Sequence, residues 1–252
     1  MLQAAELVPA LAAGTALFEH LYRPMTSGRW ELHAPANVLT RGYWSPPGLH
    51  TVSALTRDGE TWMSLTPLEF ESQGIGVALA SSHVAVLGLG MGWSAAASAL
   101  REGVTAVTVV ERDPDVIAMH RELDLFARLP GGAGDKLRIV SGDAFDWRPD
   151  APVDLLMPDI WLPLVSDGRV VEVQRMQANA GAKLVYFWGQ EMEIARHARA
   201  AGRALDAEGI RATVADFGLP LIGPELPGYS ECVAAAAEAW MRDRWLPAET
   251  AA

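Results

Sequence analysis

Val84-Ala-Val-Leu-Gly88-Leu-Gly90-Met-Gly92 is an apolar run that breaks into glycine at every second position, and Ser94-Ala-Ala-Ala97 follows almost at once. The apolar half has the composition of a strand buried on both faces, and the small residues that of a helix packed closely on a sheet. Glycine at 88, 90 and 92 permits positive φ and lets a ligand lie against the backbone. A second apolar run, Val107-Thr-Val-Val110, closes on Glu111, about twenty residues further on, where an acid can accept hydrogen bonds from two ribose hydroxyls. The two runs together read as a nucleotide-binding turn. They leave the nucleotide open, because Gly90-Met-Gly92-Trp-Ser-Ala95 also fits the dinucleotide fingerprint with alanine at its last position, as in nicotinamide and flavin enzymes.

Outward from this turn the pattern alternates. Helices are predicted over 67–80, 93–102, 114–128, 168–179 and 191–208, and strands over 84–88, 106–110, 137–140, 153–157, 183–187 and 210–217. That rhythm predicts an α/β fold: a Rossmann-like, doubly wound, mostly parallel sheet with helices on both faces. Residues 28–66 differ, with short apolar runs punctuated by Pro46-Pro47-Gly48 and Asp58-Gly59, which predicts a small antiparallel β-hairpin unit. An Ala- and Leu-rich stretch over 2–22 precedes it and reads as helix. The expected division is 1–66, helix plus hairpin unit, and 67–252, a Rossmann-like nucleotide-binding domain.

Composition limits the partners. A net charge of −11 without a basic run argues against a nucleic-acid substrate, which needs a clustered positive face. One cysteine, Cys232, makes no internal disulfide, and neither a signal-peptide pattern nor a bilayer-length apolar stretch stands out, so a cytoplasmic protein without a membrane partner is expected. The six histidines lack ligand spacing, no metal is expected, and they read as ordinary surface or helix residues. Of the nine tryptophans, Trp30, Trp44, Trp62, Trp188, Trp240 and Trp245 read as packing, whereas Trp93 and Trp161 follow strand ends.

In an open parallel sheet the ligand lies across the carboxyl ends of the strands. Those ends carry the glycines, then Glu111-Arg112-Asp113, then Ser141-Gly142-Asp143-Ala144, then Pro158-Asp159-Ile160-Trp161. Asp143 can accept a hydrogen bond from an exocyclic amine such as adenine N6, and Asp159 would face the reacting end of the ligand. The competing readings are a helix cap for Asp143 and a polar strand terminus for Asp159. The proline- and glycine-rich stretch over 218–228 is either a loop over the acceptor or a plain connection.

Gly88-Leu-Gly-Met-Gly92, Glu111-Arg-Asp113, Gly142-Asp143-Ala144 and Asp159 together resemble class I S-adenosylmethionine-dependent transferases. Within these, Asp58-Gly59 followed by Leu68-Glu69-Phe70-Glu71-Ser72-Gln73, with apolar Val86 two residues before Gly88, resembles the spermidine synthase (polyamine aminopropyltransferase) group. The resemblance covers about residues 35–165. It implies an adenosyl sulfonium, S-adenosylmethionine or its decarboxylated form, held by Gln73, Gly88, Gly90, Met91, Gly92, Glu111, Arg112, Asp143 and Ala144, with Asp159 as base or orienting acceptor. It also implies a homodimer.

The departures from that group set the expected chemistry. Met91 stands where the group carries an acid for the aminopropyl ammonium, Ser72 replaces its tyrosine, and Asp159-Ile-Trp-Leu162 replaces its Asp-Ser-Ser-Asp loop. A dication in a partly dry cleft needs opposed carboxylates. An apolar pocket formed by Ser72, Trp93, Trp161 and Leu162 is therefore expected, and with it methyl transfer to a small-molecule acceptor rather than polyamine synthesis. Aminopropyl transfer, a nicotinamide-dependent oxidoreductase and a non-catalytic nucleotide-binding protein are the alternatives.

Overall fold

The structure, a computed structural model, describes residues 21–247. The helix expected over 2–22 lies almost wholly outside them. Six short strands come first: β1 (Met25–Ser27), β2 (Trp30–Leu32), β3 (Ala36–Thr40), β4 (Gly48–Val52), β5 (Ala54–Arg57) and β6 (Glu60–Ser64). They form an antiparallel sheet of order β1-β2-β5-β6 and a separate β3-β4 ribbon, so the N-terminal unit is richer than one hairpin. Asp58 and Gly59 join β5 to β6 with φ of 52° and 81°. Both central residues of a type I′ turn need positive φ, which this dipeptide supplies at little cost.

The rest is α/β. Helix α1 (Pro67–Ala78) leads into β7 (Ser82–Leu87), α2 (Trp93–Ala99), β8 (Val104–Glu111), α3 (Pro114–Leu123), a 3₁₀ segment over Pro130–Lys136, β9 (Leu137–Ser141), β10 (Leu155–Pro158), α4 (Arg169–Ala180) and β11 (Leu184–Val185). The five strands β7–β11 form one parallel sheet of order β11-β10-β7-β8-β9, flanked by helices. This is the Rossmann-like architecture expected from the alternation. Val84, Ala85, Val86 and Leu87 are all buried, as a central strand covered on both faces requires. From β7 the chain winds first towards β8 and β9, then returns to β10 and β11 on the other side. The strand order reverses between β7 and β10, and the crevice at that switch point is where such sheets bind ligands.

After β11 the chain departs from the expected rhythm. Helix α5 (Gln190–Ala200) ends eight residues earlier than predicted, and the segment expected as a strand over 210–217 is helix α6 (Ala207–Phe217). The Asp206 side chain caps α6 by accepting from the Gly209 N–H at 2.8 Å, and Ile210, Thr213 and Phe217 are among its buried residues. Spacings of three and four mark one helical face, whereas the β-branched content suggests a strand. Helix α7 (Tyr229–Trp240) is the last element of the described chain. The intervening 218–228 stretch lines no part of the cleft described below; Leu221 bridges to Val185 on the sheet edge, which makes the stretch a connection.

Candidate functional site

The site is built at the switch point. Backbone bonds there tie the two diverging strands: the Asp159 N–H donates to the Leu87 carbonyl at 2.8 Å, and Gly88 N–H donates to Val110 O at 2.8 Å. Gly88 has a φ of 103°, and a Cβ there would collide with the Asp159 carbonyl oxygen. Gly90 (φ 48°) lies under the Met63 sulfur, and Gly92 (φ 77°) against the His120 ring, 2.7 Å from where its Cβ would be. The three glycines therefore serve the protein's own close packing first. His120 is not the ordinary histidine that the sequence suggests: it is buried with Nε2 2.9 Å from Gly90 O, and burial lowers its pKa to about 4. A neutral ring that donates through Nε2 holds the turn from below.

Glu111 is fixed by two backbone donors, Leu89 N–H at 2.9 Å on one carboxylate oxygen and Asp113 N–H at 2.8 Å on the other. Each oxygen keeps a lone pair for a ligand hydroxyl. Along the turn, Met91 N–H donates to the Met63 sulfur at 2.9 Å and Gly92 N–H to Leu89 O at 2.6 Å. With Gly88 N–H on Val110 O, four of the N–H groups from Gly88 to Gly92 are thus engaged inside the protein.

A cleft opens above these strand ends, with about 1050 Å³ of empty volume including the part open to solvent. Gly88, Gly90, Glu111, Arg112, Asp143, Ala144, Asp159 and Trp161 all line it, so eight of the sequence-predicted residues meet in one place. Asp143 lines the cleft and also holds its own turn. Its Oδ1 accepts from Phe145 N–H at 2.8 Å and caps a short turn, while Oδ2 lies 3.9 Å from the Arg112 guanidinium.

Gln73, Met91, Gly92, Ser72, Trp93 and Leu162 stand off that wall. Met91 is 2% exposed, packed in the core, with its carbonyl accepting from Tyr22 Oη at 2.7 Å. An acid at this position would meet the core, not the ligand. Ser72 is buried and accepts from Trp188 Nε1 at 3.0 Å, and Trp93 packs on Phe70 with ring centroids 4.9 Å apart. Of the four residues expected to form the acceptor pocket, Trp161 lines the cleft, whereas α1 and α2 turn Ser72 and Trp93 into the interior. Gln73 supports the site from behind.

Three tryptophans that the sequence assigns to packing lie on the wall instead: Trp30, Trp62 and Trp188, with Arg57, Met63 and Glu69. Glu69 is the main residue that sequence reasoning leaves without a role. It is 7% exposed, one turn before Gln73 on α1, and that i,i+4 spacing was the available signal. Gln73 Nε2 donates to Asp159 Oδ2 at 2.8 Å. Desolvation raises the Asp159 pKa to about 7, opposed by the Arg169 charge. Glu69 is raised well above the usual carboxylate range, first by burial and then by Asp159. The charge of Asp159 disfavours that of Glu69, and two carboxyl groups raised in this way can take up or release a proton near neutrality.

No protein-family model and no curated protein matches the chain. Among solved structures it is similar to the DhpI–SAH complex, at 22% identity over 40% of this chain and 44% of that one, TM-score 0.30. It is also similar to a putative RNA methyltransferase from Pyrococcus horikoshii, at 19% identity over 48% and 57%, TM-score 0.35. A third is the glycopeptide N-methyltransferase MtfA complexed with S-adenosyl-L-homocysteine, at 20% identity over 44% and 43%, TM-score 0.35. The chain spans about half the length of these structures. Among the described residues no cluster of His, Cys, Asp and Glu could hold a metal, and no helix is long and apolar enough to cross a membrane.

Proposed function

We propose that the protein is an S-adenosylmethionine-dependent methyltransferase acting on a small-molecule acceptor. The observation that carries this reading is the pairing of a fixed Glu111 carboxylate with a glycine turn whose N–H groups at Leu89, Met91 and Gly92 are already bonded. A ribose requires the carboxylate, and with those N–H groups engaged the turn offers a pyrophosphate fewer donors. The donor set thus favours a nucleoside without phosphates over a dinucleotide.

An adenosyl sulfonium would supply an activated methyl group. Glu111 would hold the ribose hydroxyls and Asp143 the adenine amine, with Ala144 and Arg112 beside it. Gly88 and Gly90 line the cleft along the turn, where the amino-acid portion would lie. Asp159, with Gln73 orienting it and Glu69 nearby on the cleft wall, would take the acceptor's proton. Trp161, Trp188 and Trp62 line the same cleft and would pack against the acceptor. The division into an N-terminal unit over 1–66 and a nucleotide-binding domain over 67–252 belongs to the same proposal, as does a homodimer.

Glu69 favours a second reading. With Asp159 it brings two carboxyl groups to one cleft, as an amine substrate needs, and Met91 faces the core and leaves that reading intact. Aminopropyl transfer from decarboxylated S-adenosylmethionine to an amine is the reaction it implies. Incubation with each sulfonium and a panel of amines and hydroxy compounds separates the two. The first reading predicts S-adenosylhomocysteine as product, and methylthioadenosine in its place would establish the second.

A further inference from the structure

Arg57, the last residue of β5, lines the cleft beside a pair of indoles, its guanidinium carbon 5.3 Å from the Trp30 ring centroid and 5.8 Å from that of Trp62. The indoles meet edge to face at 5.5 Å, and Trp30 is anchored by its Nε1 donating to Asp113 at 2.9 Å. The pair is therefore attached to the end of β8, not free on the hairpin.

Neighbouring arginines have anionic partners. Arg29 forms a bidentate pair with Asp58, and Arg112 approaches Asp143. Arg57 has neither an ion pair nor a side-chain hydrogen bond among the described residues, and its Nε is shut off from solvent without an acceptor. A guanidinium held beside aromatic rings keeps its in-plane N–H edge for a planar anion, and a carboxylate matches that fork with two parallel hydrogen bonds. Its charge acts through space on Asp58, but with no bonded acceptor its fork stays open to an anionic ligand in the cleft it lines.

We infer that Arg57 is a carboxylate receptor: the cleft's small-molecule occupant binds through a carboxylate seated on this guanidinium, with its apolar or aromatic body against Trp62 and Trp30. The inference relies on the adenosyl reading for one point only, which molecule brings the group. A carboxylate enters from two sources, the α-carboxylate of S-adenosylmethionine or an acid group on the acceptor.

Calorimetric titration of the full chain and of Arg57→Gln with four probes distinguishes them: S-adenosylmethionine, its decarboxylated form, benzoate and benzamide. Loss of tenfold or more for S-adenosylmethionine, with the decarboxylated form unchanged, places the cofactor's carboxylate on Arg57. The same loss for benzoate, with benzamide unchanged, places the acceptor's there. Arg57→Lys, which keeps the charge but not the fork, should lose less than Arg57→Gln and serves if the glutamine variant does not fold. Equal affinities of wild type and variants for each probe would overturn the inference, as would a wild type that binds none of the four. If S-adenosylmethionine alone fails to bind while benzoate retains its Arg57 dependence, the methyltransferase reading falls and the carboxylate receptor stands.

Discussion

Gln73 donates its side-chain N–H to Oδ2 of Asp159 at 2.8 Å, across 86 residues of sequence. The bond joins the helix that leaves the N-terminal unit to the strand end at the switch point. It aims one carboxylate oxygen and leaves the other towards the cleft, which Asp159 lines.

Asp159→Asn removes the proposed proton acceptor while keeping the shape and the contact with Gln73. Turnover should fall by about 10²–10⁴, with cofactor affinity within a few-fold of wild type. With the Asp159 pKa raised to about 7, the wild-type rate should climb as pH rises through that value, because only the deprotonated group accepts. A pH–rate profile that is flat between about 5.5 and about 8.5 would show that no group in the pair acts as the base.

Gly88→Ala should harm the fold before it harms binding. The position combines positive φ with a direct collision against Asp159 O, so the two central strands would have to separate. A loss of more than about 2 kcal/mol in urea denaturation is expected. A stable variant would mean that the turn opens more readily than its backbone bonds imply.

Met91→Asp places a carboxylate in the core, away from the cleft. Burying it unpaired should cost several kcal/mol or push its pKa upward, so the variant should be strongly destabilised and gain no aminopropyl transfer. A folded variant with that activity would place residue 91 at the ligand after all.

Glu191 has no solvent exposure and accepts hydrogen bonds from Tyr43 at 3.3 Å and from Tyr186 and Tyr229 at 3.1 Å each. Burial raises its pKa from 4.5 to about 7 despite those donors. The folded protein therefore binds the proton more tightly than the unfolded chain. Its contribution to stability is greatest below pH 4.5, declines as pH rises towards 7 and is constant above, and each tenfold difference in proton affinity between the two states is worth about 1.4 kcal/mol. Unfolding free energies measured from about pH 5 to about 8 should show a shallower decline in Glu191→Gln than in wild type; parallel curves would mean that Glu191 keeps its charge when folded.

Much of this architecture was legible because local and tertiary demands agree. Val84–Leu87 reads as a buried strand and is one, and Asp58-Gly59 reads as a hairpin turn and is one. The carboxyl-end rule gathered Glu111, Asp143 and Asp159 at one cleft from strands far apart in sequence. What failed depended on direction. Met91 and Trp93 flank a turn whose path sends their side chains inward, and periodicity cannot tell which side of a glycine turn faces a ligand. Trp30, Trp62 and Arg57 reach the cleft only because the N-terminal sheet folds over the glycine turn, a contact between segments that no local pattern encodes. At 210–217, β-branched composition points to a strand and is overruled by the helix that Asp206 caps.

Whether Glu111 and the glycine turn hold an adenosyl sulfonium is decided by calorimetric titration with S-adenosylmethionine, run on the wild type and on Glu111→Ala beside a reduced nicotinamide dinucleotide. Saturable binding of S-adenosylmethionine to the wild type is expected, with a loss of tenfold or more in Glu111→Ala and no binding of the dinucleotide. Binding of the dinucleotide without affinity for S-adenosylmethionine would refute the assignment.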